Sequence, residues 1–137
     1  MNTKYVMTAS AVIMGLLGIG LIFLPAEILN YLKADGHDKI EEVILQILGS
    51  LYFGFAMINW MAKSNLIGGI YARPIAVGNF SHFMIAALAL VKAGSIQQPV
   101  LLIAATIYSL FAISFILILY THPIKEKAAN LFLQTSY

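Results

Sequence analysis

Four long apolar runs dominate this chain of 137 residues. Crossing the hydrocarbon core of a bilayer takes about 20 consecutive apolar residues in a helix, and each run ends at a proline or a polar stretch. The predicted spans cover residues 5–24, 40–62, 74–94 and 98–121, and a tail follows over 122–137. Because 61% of the residues are hydrophobic and only 10% are charged, a soluble globular fold is excluded. We expect residues 1–137 to form a single integral membrane domain.

The short connections between the runs favour an all-α fold, an up-down bundle of four transmembrane helices. Pro25 begins a stretch in which Ile28, Leu29 and Leu32 recur at helical spacing, and this predicts a short interfacial helix after the first span. The apolar residues of the tail after Pro123 have similar spacing, so we expect the tail to lie on the membrane surface. No proline interrupts a span, and the long helices are therefore expected to be continuous.

The basic residues are distributed unequally between the two sides of the predicted bundle. The side that holds both termini carries Lys4, Lys63, Arg73, Lys125 and Lys127, against Lys33, Lys39 and Lys92 on the other. Since Lys and Arg are enriched in cytoplasmic segments, this excess predicts a multi-pass protein of the inner membrane with both termini in the cytoplasm.

Several chemistries are excluded by composition. The chain has no cysteine, so it has no disulfide, dithiol redox pair or cysteine-ligated metal. We expect no cofactor: His82 and His122 are predicted at different depths, which argues against haem, and no carboxylate pair accompanies a histidine to bind a metal. Charges are few and form no basic cluster, so nucleic acid is not an expected partner. No Asp or Glu lies in the interior of a span, which argues against proton-coupled drug export.

Small residues spaced four apart occur in each span. Such pairs let helix backbones approach closely, which is how helices associate in lipid. The pairs are Ala11/Gly15, Ser50/Gly54, Ala89/Ala93 and Ala105/Ser109, with Gly18, Gly20, Gly49 and Gly78 as further contact points. We expect most of them to pack the bundle, and one such face is a candidate for binding a second copy or a larger membrane complex.

Polar side chains inside the spans are concentrated on the second and third. His82 is the only ionisable residue well inside a span, and an imidazole there can carry a proton, bind a metal or hydrogen-bond a quinone or a carbonyl ligand. The alternative is that His82 only hydrogen-bonds a neighbouring helix through Asn59, Thr106, Tyr108 or Ser109. The candidate ligand-binding residues are Gln46, Ser50, Asn59, Arg73, Asn79, His82 and Tyr108.

Two segments give the chain a recognisable layout. One is the second-span sequence from Leu48 to Gly54, and the other runs from Gly68 through Arg73 and Pro74 to Phe83. With the glycine-rich first span that ends at Leu24-Pro25, this layout resembles the small four-span bacterial membrane proteins grouped as DoxX-like. The resemblance implies the four-span architecture alone. It assigns no catalytic residue, because no catalytic motif of the family matches these positions.

Three functions are consistent with the sequence. The first is a non-enzymatic bundle that binds a lipid-like or other apolar ligand, or serves as an accessory subunit of a membrane complex. The second is a membrane enzyme or quinone-linked redox accessory that uses His82, Asn79 and Arg73. The third is an oligomeric channel or small-solute transporter, which the lack of an intramembrane carboxylate disfavours. The expected partners are the lipid bilayer, an apolar ligand or quinone, and a second copy or a larger complex.

Overall fold

The computed structural model describes residues 3–32, 36, 38–64, 72–92 and 99–120. Over these residues the chain is all-α, with five helices and no strand. The helices are α1 (Thr3–Phe23), α2 (Pro25–Leu32), α3 (Lys39–Ala62), α4 (Arg73–Lys92) and α5 (Pro99–Tyr120). The tail over 122–137 and the predicted span limits at 94, 98 and 121 lie outside the described residues.

Four of the helices, α1, α3, α4 and α5, are long and apolar enough to cross a membrane. The predicted fold class is confirmed: the protein is an all-α, multi-pass membrane protein with a short helix after its first span. Proline sets several of the boundaries. Pro25 has no N–H to continue the ladder of α1, so that helix ends at Phe23 and α2 begins directly after Leu24.

Both ends of α3 carry polar interactions that belong outside the hydrocarbon. At its start the Lys39 ammonium lies 2.9 Å from the Glu42 carboxylate, and the backbone N–H of Asp38 donates to Glu41. At its end the Lys63 ammonium lies 2.9 Å from the centre of the Trp60 ring. A cation over an indole is a favourable contact, and both residue types suit the headgroup region. The apolar part of α3 therefore lies between these two sets of contacts.

The described chain divides into two compact units, and each is described by itself. One unit is Met7–Lys63, which holds most of α1 together with α2 and α3. The other consists of Met1–Val6 and Ser64–Tyr137, and it holds α4 and α5. The assignment of residues 1–137 to one domain stays a prediction.

In the unit Met7–Lys63, the backbones of α1 and α3 come close together at two glycines. A Cβ placed on Gly18 would lie 2.8 Å from the backbone nitrogen of Phe53 and 2.9 Å from the carbonyl oxygen of Gly49. A Cβ on Gly49 would in turn lie 2.8 Å from the Gly18 carbonyl oxygen. These distances leave no room for a side chain, so the two backbones touch directly. Gly18 and Gly49 were expected as contact points, but the sequence did not show that they meet.

In the other unit, α4 and α5 pack around Phe83, which is fully buried. Its ring stacks on Phe111 and Phe115, with centroids 4.8 and 5.7 Å away, and meets Tyr108 edge to face at 5.4 Å. Both geometries are favourable for aromatic pairs. Four alanines at helical spacing from these rings are also buried, namely Ala76, Ala87, Ala105 and Ala112. The α4–α5 pair is thus held by one aromatic cluster, with small buried residues on the same helix faces.

We predict that Gly18→Ala weakens the α1–α3 contact. The new methyl group meets backbone atoms that cannot rotate away, and overpacking of this kind lowers the free energy of unfolding by about 1–3 kcal/mol. The measurement is an SDS titration of detergent-solubilised protein followed by circular dichroism. Gly20→Ala is the matched control, because its Cβ would meet nothing closer than the Ile28 Cδ1 atom at 4.0 Å. Equal stability of the two variants would contradict the predicted role of Gly18.

Candidate functional site

The seven candidate ligand-binding residues are divided between the two units. Residues of α3 belong to the unit Met7–Lys63, and residues of α4 and α5 belong to the other unit. The first group is Gln46, Ser50 and Asn59, and the second is Arg73, Asn79, His82 and Tyr108.

His82 lies at the midpoint of α4, as the tenth of its 20 residues. The ring is half-buried, and its Nε2 atom is fully buried. Its centroid lies 6.0 Å from that of Tyr108 on α5, at an interplanar angle of 47°, and 5.2 Å from Phe83. Because hydrocarbon is about 30 Å thick and α4 rises about 1.5 Å per residue, the imidazole lies near the middle of the membrane.

Tyr108 is buried at the same aromatic cluster. Its ring contacts both His82 and Phe83, so the cluster places one phenol and one imidazole side by side among phenylalanines. Each group can donate and accept a hydrogen bond. The sequence analysis named four partners for His82 on neighbouring helices, and the structure places the ring of one of them, Tyr108, against the imidazole.

The hydroxyl groups of Thr106 and Ser109 are bonded within their own helix. Thr106 donates to the Leu102 carbonyl at 2.9 Å, and Ser109 donates to the Ala105 carbonyl at 2.8 Å. A hydroxyl that donates to the carbonyl four residues earlier needs no ligand in lipid. These two residues therefore contribute little to a candidate site.

Asn79 lies one turn before His82 on α4 and is buried. Its Nδ2 atom donates to the Ile75 carbonyl at 2.9 Å, which orients the amide along its own helix. Arg73 is the exposed first residue of α4. His82 lies nine positions further along α4, or about 14 Å along the axis. A site that used all three residues would need a ligand extended along α4 from the membrane surface to its centre.

Asn59 is fully buried between α1 and α3 in the unit Met7–Lys63. Its Nδ2 atom donates to the Ser10 hydroxyl at 3.1 Å and lies 3.8 Å from the Met14 sulfur, and Ser10 donates to the Met7 carbonyl at 3.0 Å. All four of these side chains are fully buried. This arrangement fits a helix-packing role for Asn59. The sequence analysis did not single out Ser10, although its placement between Met7 and Met14 on one helix face was a usable signal.

Gln46 and Ser50 are exposed on α3. Gln46 Nε2 donates to the Ile22 carbonyl over a long 3.4 Å, and the Ser50 hydroxyl donates to the Ile47 carbonyl at 2.7 Å. Neither residue lines a buried cluster of the unit Met7–Lys63. Gln46 thus reaches α1, and the Ser50 hydroxyl bonds its own helix.

The polar side chains described above can form hydrogen bonds with a polar group on an otherwise apolar molecule. Among the described residues, no group of three or more His, Asp or Glu side chains is arranged to hold a metal ion. Comparison with models of known protein families, with curated proteins and with solved structures finds no match to this chain. The DoxX-like resemblance therefore stays a prediction from the layout of the sequence.

We predict that Asn59 and Ser10 are energetically coupled. A double-mutant cycle with Asn59→Ala and Ser10→Ala should give a coupling energy of about 0.6–2 kcal/mol, the range for hydrogen bonds between membrane helices. Unfolding in SDS measures each free energy. The control cycle pairs Asn59→Ala with Ser50→Ala, whose hydroxyl bonds its own helix, and should be additive. Additivity in both cycles would show that the Asn59–Ser10 bond does not stabilise the packing of α1 and α3.

Proposed function

We propose that this protein is a non-enzymatic membrane protein that binds an apolar ligand at His82 and Tyr108. The ligand carries one carbonyl or hydroxyl group on an otherwise apolar body, as a quinone or a lipid-like molecule does. The observation that carries the proposal is the half-buried imidazole at the midpoint of α4, with its ring 6.0 Å from that of Tyr108.

The position of the imidazole supports a role beyond packing. An ionisable group in the middle of a membrane is costly to place there, and such groups mark binding sites and pathways far more often than other residues of a span. The packing of α4 on α5 is already supplied by Phe83 and the alanine faces beside it. The imidazole lies at the side of this packing, with its ring against Phe83 and Tyr108.

The surroundings of the imidazole define the kind of ligand. The partly exposed Phe111, which stacks on Phe83, provides aromatic surface that suits an apolar body. The imidazole and the phenol can each donate a hydrogen bond to a carbonyl or accept one from a hydroxyl. Neither group binds a carboxylate or phosphate as strongly as Arg or Lys would, so an anionic headgroup is not the expected ligand.

The groups near His82 fit a protein that binds its ligand without converting it. Neither α4 nor α5 contains an Asp or Glu that would serve as a partner in acid–base catalysis. Arg73, which the enzymatic alternative needs, lies about 14 Å along the helix from His82. We therefore favour a binding or accessory role over a catalytic one.

The test compares His82→Phe, Tyr108→Phe and Thr106→Val with the wild-type chain. His82→Phe keeps a planar ring without nitrogens, and Tyr108→Phe removes only the hydroxyl. We expect each to weaken binding of a short-chain benzoquinone or diacylglycerol about three- to tenfold, the usual cost of one lost hydrogen bond. Thr106→Val removes a hydroxyl that bonds its own helix and should bind like the wild type.

Two measurements report the result. Native mass spectrometry from mild detergent detects a co-purified mass that His82→Phe should lose, and equilibrium dialysis of reconstituted vesicles gives the affinity for each probe. Circular dichroism checks that every variant is folded. The proposal fails if the wild type carries no added mass and shows no saturable binding, or if His82→Phe binds as tightly as Thr106→Val.

A further inference from the structure

The depth of His82 in the membrane restricts the kind of molecule that can bind there. His82 lies nine positions after Arg73 and ten before Lys92, or about 14 and 15 Å along the axis of α4. Both of these terminal residues are charged and exposed, so they belong at the two surfaces of the membrane. The 20 residues of α4 are about as long as hydrocarbon is thick, about 30 Å, so the helix has little room to shift along its axis. The imidazole therefore lies close to the bilayer midplane.

Tyr108 gives the same depth from a different helix. It is the tenth of the 22 residues of α5, about 14 Å along the axis from Pro99. At the far end of α5, Tyr120 is exposed, and tyrosine suits the headgroup region. The centroids of the His82 and Tyr108 rings are 6.0 Å apart. The two rings thus offer their hydrogen-bonding groups at one level, near the centre of the membrane.

The middle of the α4–α5 pair provides no partner for an ionised group. Between Arg73 and Lys92, α4 contains no Asp, Glu, Lys or Arg, and α5 contains none along its whole length. A phosphate or carboxylate drawn to this depth would lose its hydration without gaining an ion pair, which is costly in hydrocarbon. The glycerol and headgroup of a glycerolipid stay in the interfacial region, about 14 Å from His82. The polar groups of such a lipid therefore do not reach the two rings.

Polar side chains close to the two rings bond carbonyls of their own helices. Asn79, one turn before His82, donates to the Ile75 carbonyl at 2.9 Å, and Ser109 donates to the Ala105 carbonyl at 2.8 Å. These donors do not need a ligand to satisfy them in hydrocarbon. The polar contacts of the proposed ligand therefore stay at the level of His82 and Tyr108.

We propose that the ligand of this site is a neutral ketone or quinone that dissolves in the membrane core and has no headgroup at the interface. This inference rests on the proposed function and narrows it, because it excludes glycerolipids such as diacylglycerol. A molecule of this class brings its carbonyl to the midplane without drawing a strongly hydrated group into hydrocarbon. The partly exposed Phe111, whose ring lies at 22° to that of Phe83, adds aromatic surface for a flat ring that carries a carbonyl.

The binding test compares three probes in vesicles that contain the full chain. The probes are a short-chain benzoquinone, a long-chain dialkyl ketone with its carbonyl at the centre of the chain, and diacylglycerol, each at the same mole fraction. Native mass spectrometry gives the share of protein that retains each probe. We expect at least tenfold more retention of the quinone and the ketone than of diacylglycerol. His82→Phe and Tyr108→Phe should each reduce this excess about three- to tenfold, and Thr106→Val should leave it unchanged.

The outcomes separate this inference from the proposed function. Retention of diacylglycerol equal to that of the quinone, and lost in His82→Phe, would support the proposed function and overturn the inference. Retention of none of the three probes, or the same retention in His82→Phe as in the wild type, would overturn both.

A second measurement tests the depth itself. In a Trp60→Phe background, which removes the one native tryptophan, a single tryptophan replaces an exposed leucine of α5. Leu110 lies at the middle of α5, two residues after Tyr108, and Leu102 lies about 5 Å along the axis from Pro99. We expect lipids brominated near the ends of their acyl chains to quench Leu110→Trp at least twofold more than lipids brominated near the glycerol. Leu102→Trp should show the reverse order, and equal depths for the two variants would overturn the inference.

Discussion

Hydrocarbon contains no hydrogen-bond donor or acceptor, and every polar group of the four long helices has to be satisfied under that constraint. The main chain meets this constraint by forming helices, in which backbone N–H groups bond carbonyls of the same helix. The side chains meet it in two ways: hydroxyls such as Ser50, Thr106 and Ser109 bond carbonyls of their own helix, and Asn59 bonds Ser10 across to another helix. Two further amides also bond backbone carbonyls: Asn79 donates to Ile75 on its own helix, and Gln46 donates to Ile22 on α1.

The proposed ligand site and the packing of α1 on α3 belong to different parts of the chain. His82 and Tyr108 belong to an aromatic cluster, which places one imidazole and one phenol among phenylalanine rings. They lie in the unit that holds α4 and α5, and the unit Met7–Lys63 holds the Asn59–Ser10 bond. The two features can therefore be tested by separate substitutions.

The helices themselves could be predicted from the sequence, because their limits depend on local chemistry. Apolar length and the prolines at positions 25 and 99 define where α2 and α5 begin. The rotation of each helix about its axis could not be predicted, because apolar residues surround every span and leave no amphipathic signal. Gln46 and Asn59 looked alike as polar residues of one span, yet the first is exposed and the second is fully buried. The contact between Gly18 and Gly49 likewise depends on how two helices cross, which spacing within one helix does not determine.

The hydroxyl bonds of α5 have a mechanical consequence. Thr106, Ser109 and Ser114 each donate to the carbonyl four residues earlier, so three successive turns share a carbonyl between the backbone amide and a side chain. Sharing of this kind loosens the helical ladder and lets a helix bend. Tyr108 lies within that stretch, so the part of α5 that carries the phenol into the aromatic cluster is one that these bonds allow to bend. A bend there would move the Tyr108 ring relative to Phe83.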